Sequence, residues 1–253
     1  MSEDDYLLGI ISKYKAPNLD ALTEILLLTP LKTIIESWAG SDLNNISISG
    51  SRAKGTAILL SSDIDLFISL RSSCIYSLSY IYNSLYDTIV RNGIKARKQN
   101  VSIGIEYSGH KIDLVPAKVQ TGYINYHSLY KSKSDSWTQT NISKHIDTVK
   151  NSGRINEIIV MKVWKHLLGL DFPSTYLELV VLDALYNRPK NQLGRNVQAI
   201  LGYLSADFVE KRIVDPSNTN NIISDDLYKY EKQSIANKAL ECYNAKSWSS
   251  VVW

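Results

Sequence analysis

Ile48-Ser49-Gly50-Ser51-Arg52-Ala53-Lys54-Gly55-Thr56, followed by Ser62-Asp63-Ile64-Asp65-Leu66, sets a Gly-Ser turn just ahead of a segment with two alternate carboxylates. Successive side chains of a strand point to opposite faces, so Asp63 and Asp65 share one face while Ile64, Leu66 and Ile68 share the other. The apolar face can pack on a helix, which leaves the two carboxylates open. Ionised carboxylates held close together repel, and one takes up a proton unless a cation lies between them. Oxygen-only ligands with room for phosphate favour Mg²⁺, which is typically held by one or two carboxylates plus substrate phosphates. Glycine lets the backbone approach closely. The turn's N–H groups and the Ser51 hydroxyl can then point at phosphate oxygens if a helix begins there.

A two-metal site needs a third carboxylate, and His110-Lys111-Ile112-Asp113-Leu114-Val115-Pro116-Ala117 offers one. Lys111, Asp113 and Val115 fall on one face of this run, and Ile112 and Leu114 on the other. A second alternating run, Val101, Ile103 and Ile105, precedes it across Ser108-Gly109, so the two read as an antiparallel hairpin. If the hairpin pairs beside the Asp63 strand, Asp113 faces the same side as Asp63 and Asp65. Two metals roughly 3.5–4 Å apart would then clamp the attacking and leaving oxygens of an in-line displacement. Asp113 is the natural acceptor for the proton of the attacking hydroxyl. A lone D-x-D is usually a solvated strand end and a lone Gly-Ser a turn. Their order here, with a third Asp inside an apolar strand that would be costly to bury without a cation or partner, points to nucleotidyl transfer.

Gly50-Ser51, Asp63, Asp65 and Asp113 resemble the signature of the polymerase β-type nucleotidyltransferase superfamily. The run Ile155-Asn156-Glu157-Ile158-Ile159-Val160-Met161-Lys162-Val163-Trp164-Lys165 is similar to the K-x-W helix of the 2′-5′ oligoadenylate synthetases, cyclic GMP-AMP synthase and the bacterial CD-NTases. Phe172-Pro173-Ser174-Thr175-Tyr176-Leu177-Glu178-Leu179-Val180 resembles their P-S-x-x-L-E-L helix start. Ile213-Val214-Asp215-Pro216-Ser217-Asn218-Thr219-Asn220-Asn221-Ile222 is similar to their D-P-x-x-P-x-N-N segment, with one position missing and the second proline absent. The resemblance implies that Asp63, Asp65 and Asp113 are catalytic and bind two Mg²⁺, with Mn²⁺ as the alternative ion. It implies that Gly50, Ser51, Lys162 and Ser174 hold the triphosphate, with Lys54 and Thr56 as further contacts in the neighbouring loop. A lysine on a helix can reach a phosphate as a point charge, and a serine at a helix start can cap the helix and donate to phosphate.

At 253 residues, 44% hydrophobic, the chain can bury a substantial core. No apolar run is long enough to cross a bilayer, and Ser2-Glu3-Asp4-Asp5 is unlike a signal peptide, so a cytoplasmic setting without a membrane partner is expected. Cys74 and Cys242 give no disulfide or zinc framework, and the four histidines have no metal-ligand spacing. Net charge is +3, yet Arg91 to Lys165 carries 13 Lys and Arg against 5 Asp and Glu. Such a patch suits polyphosphates, nucleic acid or both, and does not discriminate between them.

The coarse pattern predicts a helical segment over Leu19 to Trp38 bent at Pro30, a strand over Asn45 to Ser49 and a helix over Cys74 to Asn92. It leaves Thr121 to Thr138 as a polar connector, with helices from Ser143 onward. The expected fold class is α+β. A polymerase β-like palm, a mixed sheet with flanking helices and an N-terminal helix, covers 1–138, a helical lobe covers 139–253, and a cleft lies between them. By resemblance the reaction is template-independent: nucleoside triphosphates become a cyclic or linear oligonucleotide signal with release of pyrophosphate. The setting the resemblance implies is bacterial antiphage defence with an effector protein answering to the product. Transfer to an RNA 3′ end, as by CCA-adding enzymes, and toxin-type modification of tRNA or protein share the core motifs. Base, sugar, linkage and oligomeric state are not encoded in any motif.

Overall fold

The computed structural model describes residues 2–61 and 63–253. The chain opens with α1 (Glu3–Tyr14), whose first turn is closed by a capping box: Ser2 Oγ accepts from the Asp5 amide, and Asp5 accepts from the Ser2 amide, each at 3.1 Å. A short α2 (Ala21–Thr23), a π-helical turn (Glu24–Leu28) and α3 (Thr29–Ala39) follow without a break, and Pro30, which has no N–H to give the preceding turn, stands just after the π-helical segment. Then come β1 (Leu43–Ile48), α4 (Gly50–Lys54), β2 (Ile64–Leu70) and α5 (Leu78–Arg91), the last capped by Ser77 and closed by Gly93 at φ 76°.

Five strands complete the sheet: β3 (Ala96–Lys98), β4 (Ile103–Tyr107), β5 (His110–Gln120), β6 (Tyr123–Lys131) and β7 (Ser136–Thr140). The second half holds α6 (Ile142–Lys150), α7 (Ile155–Leu167), α8 (Ser174–Ala184), α9 (Leu193–Ala206), a small hairpin of β8 (Val214–Asp215) and β9 (Asn218–Ile222), and α10 (Lys229–Tyr243). Among the described residues, no helix is long and apolar enough to cross a membrane.

Two compact units result, one of Pro17–Lys54 with Ser62–Ile146, the other of Met1–Ala16, Gly55–Ser61 and Asp147–Trp253. The boundary therefore differs from the expected 138/139 division. The opening helix α1 belongs to the helical unit, because Leu7, Ile10 and Ile11 join its core and Tyr6 and Tyr14 donate to the carbonyls of Val252 and Trp253. The capping box of Ser2 and Asp5 was the available sequence signal for this helix.

In the sheet unit the strand order is β1-β2-β5-β4-β3, with β6 also on β5 and β7 on β6. β5 is long enough to share one edge: β4 pairs with it antiparallel over His110 to Leu114 and β6 over Ala117 to Gln120, while β2 runs parallel along the other edge. The mixed sheet agrees with the expected fold class. The β4–β5 hairpin turns at Ser108 (φ 49°) and Gly109 (φ 76°), the paired left-handed conformation that tight hairpins favour. Ile64, Leu66, Ile68, Ile112 and Leu114 pack in one core with Leu31, Ile35, Leu85 and Ile89 of α3 and α5. The helix-covered face of the sheet is thus the apolar face expected of both runs, and the carboxylates stand on the other.

The expected connector over Thr121 to Thr138 is instead the β6–β7 hairpin. Its sequence hides the alternation, because the hairpin reaches the apolar clusters through scattered positions, Leu129 beside Phe67 and Ala117 and Tyr130 against the core under α5. Tyrosine-rich strands of this kind gain from edge pairing and aromatic packing, not from a continuous apolar stripe.

Candidate active site

β2 and β5 pair in parallel with Asp65 opposite Asp113 and Ile64 opposite Ile112. Neighbours across a sheet project to the same side, so the register alone puts these two carboxylates next to each other. Asp63, exposed and just ahead of β2, is close enough for its charge to be felt at Asp113. The Asp113 carboxyl is pushed above the usual carboxylate range, first by burial and then by the negative charge of Asp63. Gln99 Nε2 donates to Asp113 Oδ1 at 2.9 Å and Ser102 Oγ to Oδ2 at 3.4 Å, and both hold the opposite way, as does the charge of Arg97.

The Gly-Ser turn lies against this row. The Ser49 amide donates to the Asp65 carbonyl at 2.8 Å, and the chain then enters α4 at Gly50 in a left-handed conformation, φ 59°. A Cβ on Gly50 would lie 1.7 Å from Asp65 Oδ2, so the structure gives this glycine a reason of its own: the backbone here crowds the Asp65 carboxylate. Arg52, two residues on, has its guanidinium shifted downward by burial and upward by the charge of Asp65, and it donates to the Pro17 carbonyl at 3.2 Å. Replacing Gly50 with Ala is expected to cost about 1–3 kcal/mol through the strained backbone and to lower turnover further by displacing Asp65. Thermal melting and pyrophosphate release, measured together, check this; a variant with wild-type values of both would show that Asp65 can move aside freely.

The carboxylates fit the divalent ions expected of them in chemistry and in backbone register. All three donors are oxygens, and the upward shift of Asp113, from burial first and the charge of Asp63 second, marks a carboxyl that a nearby cation would stabilise in its charged form. Among the described residues, no three His, Cys, Asp or Glu side chains yet converge closely enough to enclose an ion.

The helical unit holds the other expected phosphate contacts, in two different states. Lys162 on α7 and Glu178 on α8 form an ion pair of 2.6 Å with side chains only 6% and 2% exposed, and Thr56 Oγ1 bonds to both at 3.0 Å. Lys162 and Thr56 are therefore brought together, but inside the unit, where the ammonium is committed to Glu178. Lys54, which belongs to the sheet unit, is buried as well. Three residues further along α7, Lys165 is half-buried and donates to Ser174 Oγ at 3.3 Å. Burial is the main cause of the downward shift of its ammonium, with a second contribution from the Lys162 charge.

Lys165 is thus the lysine that meets Ser174, and sequence reasoning passed it over in favour of Lys162. The signal was present: Ile158 to Trp164 is apolar on every side of the helix, the pattern of a helix buried all round, so a lysine inside that run is internal. Gln99 and Ser102 were also missed, since neither belongs to a periodic pattern. The expected D-P segment serves locally, with Asp215 accepting from the Ser217 amide and hydroxyl at 2.7 Å and from Asn221 at 3.1 Å. Cys74 and Cys242 are buried and unbridged.

No protein-family model matches the chain. A cyclic AMP-AMP-AMP synthase of Escherichia coli (strain MS 115-1) is 26% identical over 191 residues, 67% of this chain and 59% of that protein, so the match spans under two thirds of the relative's length. The fold is similar to that of E. coli MS115-1 CdnC with ATP, with a TM-score of 0.74 and 20% identity over 98% of this chain and 96% of the other. It is also similar to the Bradyrhizobium diazoefficiens CD-NTase CdnG in complex with GTP, with a TM-score of 0.75 and 9% identity over 96% and 91%. The chain is thus similar in sequence to a cyclic AMP-AMP-AMP synthase, and its fold is the one those CdnC and CdnG structures share.

Proposed function

We propose that the chain is a metal-dependent nucleotidyltransferase that joins nucleoside triphosphates into a cyclic or linear oligonucleotide signal and releases pyrophosphate. The observation that carries this is the register of Asp65 with Asp113, with Asp63 and the Gly50 turn beside it. The E. coli relative's name supports ATP as one substrate. A role in bacterial antiphage defence, with an effector protein responding to the product, belongs to the same proposal.

Asp63, Asp65 and Asp113 would hold two Mg²⁺ or Mn²⁺, which supply charge neutralisation of the phosphates and activation of the attacking hydroxyl. Asp113 receives the hydroxyl proton, and Gln99 and Ser102 fix the orientation of its two oxygens. Gly50 keeps the backbone near the carboxylates, so that Ser51 can donate to a phosphate oxygen. Ser174 and Lys165 form a second phosphate-holding pair, the ammonium supplying a charge-assisted hydrogen bond. Lys162, Glu178 and Thr56 tie α7 to α8 and thereby position that pair.

Purified protein with Mg²⁺ and the four labelled nucleoside triphosphates should release pyrophosphate and yield an oligonucleotide identifiable by mass spectrometry. A label found only on added RNA or on protein would refute the proposal. Lys165→Ala is expected to raise the donor KM about tenfold or more, the loss of one charge-assisted hydrogen bond, and Lys165→Arg to recover part of it. An unchanged donor KM in Lys165→Ala would remove that lysine from the phosphate site.

A further inference from the structure

The helical unit has a charged cavity of its own, which shares no residue with the carboxylate row or with Lys165 and Ser174. Glu3, Arg188, Arg195, Gln198, Lys246 and Trp248 line a space of about 610 Å³, within the range of roughly 300–1,000 Å³ usual for small-molecule sites. Four segments of one packed unit meet there: the first turns of α1 and α9, the loop after α8 and the chain leaving α10. The contact of α1 with α9 is close. The Gly194 amide donates to Asp4 Oδ1 at 2.7 Å, and a Cβ on Gly194 would lie 2.8 Å from Glu3 Oε2. Gln198 Nε2 donates to the Tyr243 carbonyl at 2.7 Å and so fixes the end of α10 beside α9.

The charge in this cavity is unbalanced. Arg188, Arg195 and Lys246 come from three different segments and meet one carboxylate, Glu3. Among the described residues, none of the three cationic side chains makes an ion pair or a hydrogen bond. Single cations of this kind are ordinary on a solvated face. Three that converge on a concave surface raise its potential together and leave about two positive charges for a guest to neutralise. Guanidinium forks match the oxygens of a phosphate in pairs, and an ammonium adds a point charge. Trp248, packed against the core of the unit, forms an apolar wall with Ala245 and Val251. A bare inorganic anion would leave that wall uncovered.

We propose that this cavity is an effector site for a small organic phosphate that carries two or more negative charges on a ring-shaped body. The phosphate lies among Arg188, Arg195 and Lys246, and the ring lies against Trp248.

Two sets of contacts join the cavity to α7. Cys242, in its wall, accepts from Trp164 Nε1 at 3.3 Å, and the residue after Trp164 is Lys165, which meets Ser174. The loop that bears Arg188 is held by the buried Arg154, which donates to the carbonyls of Leu185 at 3.1 Å, Pro189 at 2.9 Å and Arg188. Arg154 is paired with Glu157 of α7 at 3.1 Å, and Asn196, the neighbour of Arg195, donates to the same Glu157 oxygen at 2.8 Å. A guest that draws Arg188 and Arg195 inward therefore bears on Glu157 from two sides. The helix it bears on carries Lys165.

Calorimetric titration of the full chain tests the site, with Mg²⁺ and a saturating non-hydrolysable ATP analogue present throughout. The probes are 5′-AMP, pyridoxine 5′-phosphate and glucose 6-phosphate, with inorganic phosphate and citrate as comparisons. At least one probe is expected to bind once per chain, with a Kd below about 1 mM and about tenfold or more tighter than either comparison anion. The variant Arg188→Ala/Arg195→Ala/Lys246→Ala should weaken that binding about tenfold or more, and Glu3→Gln should tighten it about threefold by removing the opposing charge. All four positions are exposed, and unchanged melting temperatures would show that the fold is kept. No binding by any probe, equal binding of inorganic phosphate or citrate as an adventitious anion only, or binding that survives the triple variant overturns the site.

The effector role rests on the proposed nucleotidyl transfer and has its own readout. Saturation with the bound probe is expected to shift the donor KM for pyrophosphate release by about fivefold or more in the unaltered chain and not in the triple variant. A KM that does not move overturns the effector role. Absence of pyrophosphate release from the unaltered chain overturns nucleotidyl transfer and leaves the calorimetric result standing.

Discussion

Asp65→Asn is expected to reduce pyrophosphate release by about 10³-fold or more while leaving the fold in place. Each tenfold in rate corresponds to about 1.4 kcal/mol, and removing one charged ligand from a metal-clamped displacement withdraws several kcal/mol of transition-state stabilisation. The side chain is isosteric and half-exposed, so the sheet register with Asp113 and the contact with Gly50 need not change. Asp63→Asn and Asp113→Asn should act alike. The effects should not add, because the carboxylates work as one unit. Melting temperature and far-UV circular dichroism, recorded beside turnover, separate this from unfolding. Turnover within threefold of the unaltered protein in all three variants would exclude a metal-clamped mechanism on this sheet.

The second large effect lies in stability. Lys162→Met removes the cation from a Glu178 carboxylate that is 2% exposed and leaves that charge buried. Breaking a buried pair from one side commonly costs about 3–5 kcal/mol, which corresponds to roughly 10 °C in melting temperature for a protein of this size. Thr56 Oγ1, bonded to both partners, can compensate only in part. The double variant Lys162→Met/Glu178→Leu removes both charges and should regain most of the loss, because a packed apolar pair is often as stable as the ion pair it replaces. Donor affinity in that double variant decides the role of Lys162. Near-normal affinity makes the pair a positioning device for Lys165 and Ser174, whereas a tenfold or greater weakening with full stability would return Lys162 to the phosphate itself.

The alternation of Asp63 with Ile64 and of Asp113 with Ile112 made the two-faced strands legible, because a strand that buries one face has few ways to arrange its side chains. The hairpin at Ser108-Gly109 was equally readable, since a tight antiparallel turn needs residues tolerant of left-handed φ. By contrast, the β6–β7 hairpin was not, because polar and aromatic residues occupy both of its faces and pairing with β5 decides its state. The place of α1 was also hidden, for its apolar residues would serve either core until the 252–253 carbonyls took up Tyr6 and Tyr14.

The chain's own sequence determined which residues can do phosphate and metal chemistry: a glycine before a short helix, Asp65 and Asp113 on the polar side of alternating strands, and Asp63 just ahead of the first of them. Local geometry was enough for that, since the side-chain period of a strand is fixed by covalent structure. Only the tertiary structure decided which of them work together. The parallel register of β2 with β5 put Asp65 opposite Asp113, and the approach of Gly50 to Asp65 explained why a glycine stands there. Lys162 and Lys165, three residues apart on one helix, are near equals in sequence, and the position of Glu178 on α8 buries the first while the second meets Ser174. The physical reason is that desolvation is a property of the whole packed unit, so one ammonium is locked into a buried ion pair while the other stays half-exposed according to what surrounds it.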